Sequence, residues 1–387
     1  MENFIYQNTT KIIFGKDAEK NVGSEVKKYS SKILLHYGSG SIKKYGVYDG
    51  IIKSLKEFGI EIFELGGVQQ NPRLGLVKEG IKVCRENSID FILAVGGGSV
   101  IDSAKAISMG AFYNGDVWDF FDKKAVADSA IPLGVVLTIP ASGSESNDIS
   151  VLNNEDKILK RSYHCPYLLP KFAILNPELT FTLSFYQTAC VSADIMAHTM
   201  EKYFTQTKKA DLTDRLCEAN LITILENTPI VMSNPIDYDA RAEIMWAGSI
   251  ANSGILKTGR ISDGASHKLA HELGSEYDVV HGASLAIIFP TWMKYVYKAN
   301  IEKFVQFAVR VFNIDPFFGS SEQIALEGIK RLESFFKQNG LPASLSELGI
   351  NDEKFDDMAS KATEFGSIGN FLKLNKEDSI NIYKMAL

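Results

Sequence analysis

Short apolar runs alternate with amphipathic stretches through the first 180 residues of the chain, and then the alternation stops. KILLHY (32–37), IEIFEL (60–65), DFILAV (90–95) and PLGVVLTI (132–139) read as buried strands. Between them, SIKKYGVYDGIIKSLKEFG (41–59), the stretch opened by Pro72 and running to about Asn87, and Ser99 to Met109 read as helices. Strands separated by helices need crossover connections, so they form a parallel sheet. After FAILNPEL (172–179) no strand pattern returns. LTDRLCEANLITILE, DARAEIMWAGSIA and SEQIALEGIKRLESFFKQNG are helical instead. The patterning predicts an α/β domain with a parallel sheet over 1–180 and an all-α domain over 181–387, with Pro170 and Pro177 at the boundary region.

A length of 387 residues suffices for two sizeable cores. The net charge of −6, with no run rich in Lys and Arg, argues against a nucleic-acid partner. No apolar stretch is long enough to span a bilayer, and the opening MENFIYQNTT lacks the regions of a signal peptide. Cys84, Cys165, Cys190 and Cys217 are scattered, with no CxxC pair. They read as reduced thiols of a cytoplasmic protein.

Three loops at strand ends carry the first chemical signal. In FILAVGGGSVIDSAKAIS a strand runs through Gly96, Gly97, Gly98 and Ser99 into a helix. A helix N-terminus presents unpaired N–H groups and a positive dipole end, and glycines let a phosphate approach them. A tight ligand-free turn needs less flexibility than three successive glycines supply. A dinucleotide pyrophosphate is the natural ligand, although the run is not the GxGxxG fingerprint. The second loop is Gly38, Ser39, Gly40 and Ser41, followed by Lys43 and Lys44. It holds no carboxylate to read ribose hydroxyls, and its serines and lysines suit a 2′-phosphate, favouring NADP(H) over NAD(H). The third, LTIPASGSESND (137–148), offers the hydroxyls of Thr138, Ser142 and Ser144. It makes a plausible third wall, because ligands of open parallel sheets sit at the carboxyl ends of strands.

The helical half carries four of the six histidines. Asp194 and His198 stand four apart in VSADIMAHTMEKYF, on one helix face. His267 and His271 repeat that spacing in ASHKLAHELG, and His281 follows in VVHGASL. A lone histidine on a helix is ordinarily a packing residue. Two such pairs and a further histidine in one domain point instead to a metal held by Asp194, His198, His267 and His281. One carboxylate and three imidazoles suit Fe(II) or Zn(II), whereas Ca(II) and Mg(II) want oxygen. His271 has three open roles: proton relay, further ligand, or a group behind the ligands. The pattern is not HExxH, so the zinc-protease base is missing from its place.

With these motifs in hand, nearly the whole chain resembles the iron-containing (group III) alcohol dehydrogenases, in the branch of butanol dehydrogenases and broad-range aldehyde reductases. KIIFGKDA, YGSGSIKKYGVYD, NPR at 71–73, AVGGGSVIDSAKAI, LTIPASGSESN, PKFAILNPELT, SADIMAHTMEKYF and HKLAHELGSEYDVVHGASLAIIFP carry the resemblance. It implies that Asp194, His198, His267 and His281 are metal ligands and that His271 lies near the nicotinamide. Gly96, Gly97, Gly98, Ser99 and Asp102 match the pyrophosphate loop. Thr138 and Ser142 match the cofactor wall, and Lys160 a lysine near the cofactor ribose. Gly38 to Ser41 match the loop that separates NAD from NADP use. The wall often reads TTAGTGSE in the family and here reads TIPASGSE, which keeps a hydroxyl at Ser142.

The resemblance implies a first domain that binds the dinucleotide and a second that binds metal and substrate. The expected reaction is reversible hydride transfer between NAD(P)H and short-chain aldehydes such as butanal, in the cleft between the domains. A homodimer is the family's assembly. A glycerol-dehydrogenase-like or dehydroquinate-synthase-like enzyme of the same fold group is the rival, because fold alone does not fix function. A highly charged substrate would need more Arg and Lys than Lys257, Arg260 and Lys268 supply.

Overall fold

The computed structural model describes residues 1–387. It divides into two compact units: Gln7–Leu183 with Ile236–Ser249, and Met1–Tyr6 with Ser184–Pro235 and Ile250–Leu387.

The first unit is built on a six-stranded sheet. Its strands are β1 (Lys11–Phe14), β2 (Lys32–Gly38), β3 (Glu61–Val68), β4 (Phe91–Gly97) and β5 (Leu133–Ile139). An antiparallel hairpin of β6 (Ile149–Asn154) and β7 (Leu159–His164) follows, and β8 (Phe172–Leu175) completes the sheet. The spatial order is β1-β8-β5-β4-β2-β3 and every pairing is parallel. The intervening helices are α1 (Val22–Lys27), α2 (Ser41–Lys44), α3 (Val47–Glu57), α4 (Leu74–Glu86), α5 (Gly98–Gly110) and the one-turn α6 (Trp118–Phe121).

Both faces of the sheet are covered. Phe91, Leu93 and Val95 of β4 join Ile33 and Leu35 in one apolar cluster, while Ile92 and Ala94 join Leu34 in another. A strand buried on both faces loses polar alternation, which is why FILAV is continuously apolar. Leu93 is wholly buried, and truncation to alanine there would cost about 2–5 kcal/mol. The chain lays β3 on one side of β2 and then β4 on the other. Open α/β sheets receive ligands outside the carboxyl ends of the strands at such a reversal.

Two local features depart from the sequence pattern. The helix expected over 41–59 is two helices, because Gly46 between them is left-handed at φ 76°. The β6–β7 hairpin was not expected, since its buried positions include the polar Ser150, Asn154 and Lys160.

The second unit is helical. Its chain segments carry α7 (Phe185–Tyr203), α8 (Asp211–Ser233) and the end of α9 (Tyr238–Asn252), whose residues up to Ser249 belong to the first unit. They continue with α10 (Ala265–Tyr277), α11 (His281–Val296), α12 (Ile301–Phe312), α13 (Ser321–Gln338), α14 (Phe355–Ala362) and α15 (Lys376–Met385). Phe204 anchors the core, stacked on Phe304 and set edge-on to Trp292 and Phe371. No helix is long and apolar enough to cross a membrane.

Candidate active site

Three helices of the second unit bring a carboxylate and a set of imidazoles together. Helix α7 begins with a reciprocal cap: Ser184 Oγ accepts from Gln187 N at 3.2 Å while Gln187 Oε1 accepts from Ser184 N at 3.1 Å. With its start fixed, Asp194, His198 and Glu201 fall on one face of α7, spaced by four and then three residues. Helix α10 supplies His267 and His271 one turn apart. Asp263 holds its start, its Oδ2 accepting from Ala265 N at 2.9 Å. Its Oδ1 accepts from the amides of Asn370 and Phe371, each at 2.8 Å. His281 opens α11, and Gly282 beside it lies so close to α7 that an added Cβ would sit 2.1 Å from the Cys190 carbonyl oxygen. Only glycine allows this approach, which carries His281 to Asp194.

His198 Nε2 lies 3.5 Å and His281 Nε2 3.8 Å from Asp194 Oδ1. The ligand atoms of Asp194, His267 and His281 all lie within 4.8 Å of one another. The His198 and His267 rings stack at 4.4 Å between centroids. Two ligands each about 2.1 Å from one tetrahedral ion stand about 3.4 Å apart, so these spacings suit a shared cation. His267 carries the clearest sign of such a fit. Its Nδ1–H donates to Glu201 Oε1 at 2.8 Å, while its buried Nε2 has no hydrogen-bond partner. A buried imidazole nitrogen left bare on one side and held by a carboxylate on the other is how a protein presents histidine to a metal.

His198, Glu201 and His267 also form a compact triad. The Glu201–His267 hydrogen bond puts Glu201 behind His267. Burial pushes the His198 imidazole well below its ordinary range, helped by His267, Lys202 and His271, so it is neutral and able to ligate. Burial would raise the Glu201 carboxyl, but His267 and Lys202 outweigh it and leave it below its ordinary range, as an anion. The His271 ring is half-buried, 5.3 Å from that of His281.

In the first unit the three glycine and serine loops follow β2, β4 and β5, which are neighbours in the sheet. Tyr37 pairs with Val95, and Val95 with Val136, so Gly38 and Gly96 follow at the same end of neighbouring strands, Gly38 still paired with Val68 and Gly96 with Leu137. Gly97 caps α5. Ser39 and Ser41 are exposed, and Gly97, Gly98, Ser99, Thr138 and Ser142 are half-buried. Asp102, one turn into α5, is buried and accepts from Ser144 Oγ at 2.6 Å. Burial lifts its carboxyl to about 6, against the pull of Lys105 and the Ser144 hydroxyl. Lys160, on β7, donates to Asn71 Oδ1 at 2.6 Å and acts electrostatically on Asp102.

The second loop is not without a carboxylate. Glu64 of β3 accepts from the Tyr37 and Tyr48 hydroxyls at 2.9 and 2.7 Å, and Lys43 Nζ lies 3.9 Å from its Oε2. Lys43 also sits over both tyrosine rings, 4.9 and 4.6 Å from their centroids.

The family model of iron-containing alcohol dehydrogenase matches residues 9–177, and that of the Fe-containing alcohol dehydrogenase family, C-terminal, matches residues 188–387. The chain belongs to the iron-containing alcohol dehydrogenase family. As a member it is an oxidoreductase acting on alcohols, with a nicotinamide cofactor and a metal. It is 44% identical to a probable NADH-dependent butanol dehydrogenase 2 of Bacillus subtilis, over 100% of both chains. It is 35% identical to the NADPH-dependent aldehyde reductase YqhD of Escherichia coli, again over 100% of both. The crystal structure of NADH-dependent butanol dehydrogenase A from Thermotoga maritima superposes with a TM-score of 0.96 at 39% identity, covering 100% of this chain and 99% of that one.

Against this iron-containing alcohol dehydrogenase frame, three polar residues escaped the sequence reading. Glu201 stands three residues after His198, so the pattern DxxxHxxE carried its signal. Lys105 ends the GGGSxxDxxK run but has no exposed atom to suggest a role. Glu64 comes from a neighbouring strand, beyond the reach of local spacing.

Proposed function

We propose that this protein reduces short-chain aldehydes such as butanal with NAD(P)H, and oxidises the corresponding alcohols in reverse. The bare, buried Nε2 of His267 facing Asp194 and His281 carries the proposal. Asp194, His198, His267 and His281 would hold one divalent ion, Fe(II) or Zn(II), and the single carboxylate offsets one of its charges. When bound, the metal supplies a Lewis acid for the carbonyl oxygen and the reduced nicotinamide supplies hydride. Glu201 keeps His267 in the tautomer that ligates. His271 delivers or takes the proton at the alcohol oxygen, the general acid–base role that an imidazole can fill.

Gly96, Gly97, Gly98 and Ser99 bind the pyrophosphate at the start of α5, with Thr138 and Ser142 as the facing wall and Gly38 to Ser41 receiving the adenosine end. Asp102 completes the pyrophosphate loop, and Lys160 serves the cofactor ribose. NADP(H) is the favoured cofactor. The exposed Ser39 and Ser41 and the adjacent lysines suit a 2′-phosphate, and Glu64, the carboxylate that a ribose reader would use, is engaged by two tyrosines and Lys43. The relatives' names divide: the four at 41–44% identity are named NADH-dependent, and the Escherichia coli reductase at 35% is named NADPH-dependent. Four free, buried cysteines support a cytoplasmic location, and the half-exposed edge strand β1 supports a homodimer.

The test is steady-state reduction of butanal and its homologues with NADH and NADPH, with metal analysis of the same sample. Absence of aldehyde-dependent cofactor oxidation in a metal-replete sample would overturn the proposal.

A further inference from the structure

Lys105 is a wholly buried lysine on α5, and its Nζ is surrounded by five oxygens. It lies 2.7 Å from Ser144 O, 2.9 Å from Ser144 Oγ, 2.9 Å from Asn147 O, 3.0 Å from Asn147 Oδ1 and 2.9 Å from Ile149 O. An ammonium has three N–H donors, so five acceptors at these distances form a shell around a cation rather than a set of single hydrogen bonds. Without the charge, three backbone carbonyls from one short loop would point at each other with nothing between them.

Ser144 ties this shell to the cofactor wall. Its Oγ donates to Asp102 while accepting from Lys105, and its N–H donates to Ser142 Oγ at 3.3 Å. Ser142 is pressed against the start of α5: an added Cβ on Gly98 would meet Ser142 Oγ at 2.3 Å. A continuous path therefore runs from the buried ammonium through Ser144 to Ser142 and Gly98. Burial lowers the Lys105 ammonium to about 8, with Asp102, Glu145 and Asp148 opposing, so it is still largely charged at neutral pH.

We propose that Lys105 is a positioning residue for the dinucleotide: it draws residues 144–149 onto α5 and thereby sets the distance between Ser142 and Gly98. It does so without touching the cofactor. The inference rests on the reading that the pyrophosphate lies at Gly96–Ser99.

The experiment uses the full-length, metal-loaded enzyme. Dissociation constants for NADH and NADPH are measured by nucleotide fluorescence, beside KM, kcat and metal content. Lys105→Met keeps an unbranched side chain, one heavy atom shorter, and removes the charge. It should weaken binding of reduced cofactor about tenfold, the loss expected of one misplaced hydrogen bond to the dinucleotide. Metal content and kcat at saturating cofactor should stay near wild type. Should Lys105→Met fail to fold, Asn147→Ala, which removes one acceptor and the Asn147 bond to Gly143 O, should give a smaller loss of the same kind. A variant that melts earlier yet binds cofactor as tightly as wild type would mark a purely structural lysine and overturn the inference. If the wild-type protein binds no dinucleotide, the underlying reading fails first and the inference falls with it.

Discussion

Two buried nitrogens, one in each unit, have opposite surroundings. Lys105 Nζ in the sheet unit is ringed by five oxygens, whereas His267 Nε2 in the helical unit has no hydrogen-bond partner. Both environments are costly to build, because a buried polar group without a partner is penalised and a buried charge more so. The lysine is compensated within its own chain, so its energy goes into fixing a loop. The imidazole is compensated only when something from outside completes it. A saturated group belongs to the framework, whereas an incomplete one beside a carboxylate and further imidazoles is a candidate place for a ligand.

The sharpest way to break the comparison is His267→Ala. It should abolish stoichiometric metal and lower turnover by at least about 10³-fold, the several kcal/mol expected of Lewis-acid stabilisation. Full turnover in a metal-free sample of this variant would falsify the metal assignment. His271→Ala comes next. Turnover should fall about 10²-fold with metal content unchanged, as for loss of a proton-transfer group. If metal disappears as well, His271 is a ligand. Glu201→Gln keeps the shape behind His267 but removes the anion, and a chelator-competition titration should find metal held about 10–100-fold more weakly. Unaltered metal affinity would make the Glu201 contact incidental.

The smallest effect concerns His36, an imidazole completed within the sheet unit. Its Nδ1–H donates to Leu65 O and its Nε2 accepts from Ser103 Oγ, both at 2.8 Å. Burial holds it down at about 4, against the Leu65 hydrogen bond. The folded state therefore binds fewer protons than the unfolded one between pH 6.5 and 4, and stability is lost as pH falls through that window. From pH 7.5 to 5 this one group should remove about 2 kcal/mol. Stability measured by denaturant titration should fall by that much more from pH 7.5 to 5 in wild type than in His36→Gln, and identical pH profiles would count against it.

The central strands were legible in the sequence because burial on both faces makes them unbroken apolar runs. The β6–β7 hairpin was not, because its inward positions are polar and paired by partners distant in sequence, such as Asn71 for Lys160. Asp194, His198, His267, His271 and His281 stood out because histidine is rare here and a four-residue spacing has one geometric meaning on a helix. Lys105, Glu201 and Glu64 did not, since lysine and glutamate on regular elements ordinarily read as solvated surface. Only three-dimensional placement separates a surface carboxylate from Glu201. The absence of a carboxylate from the loop after β2 was a local observation that Glu64, from the next strand, corrects.

Asp263 grips the amides of Asn370 and Phe371 while holding the first turn of the helix that carries His267. During synthesis, a ribosome must therefore have released residue 371 before that turn acquires its full set of contacts. The centre is thus ordered by a contact that spans 107 residues of chain, and a nascent chain stalled before it would expose its imidazoles without the grip that orders them.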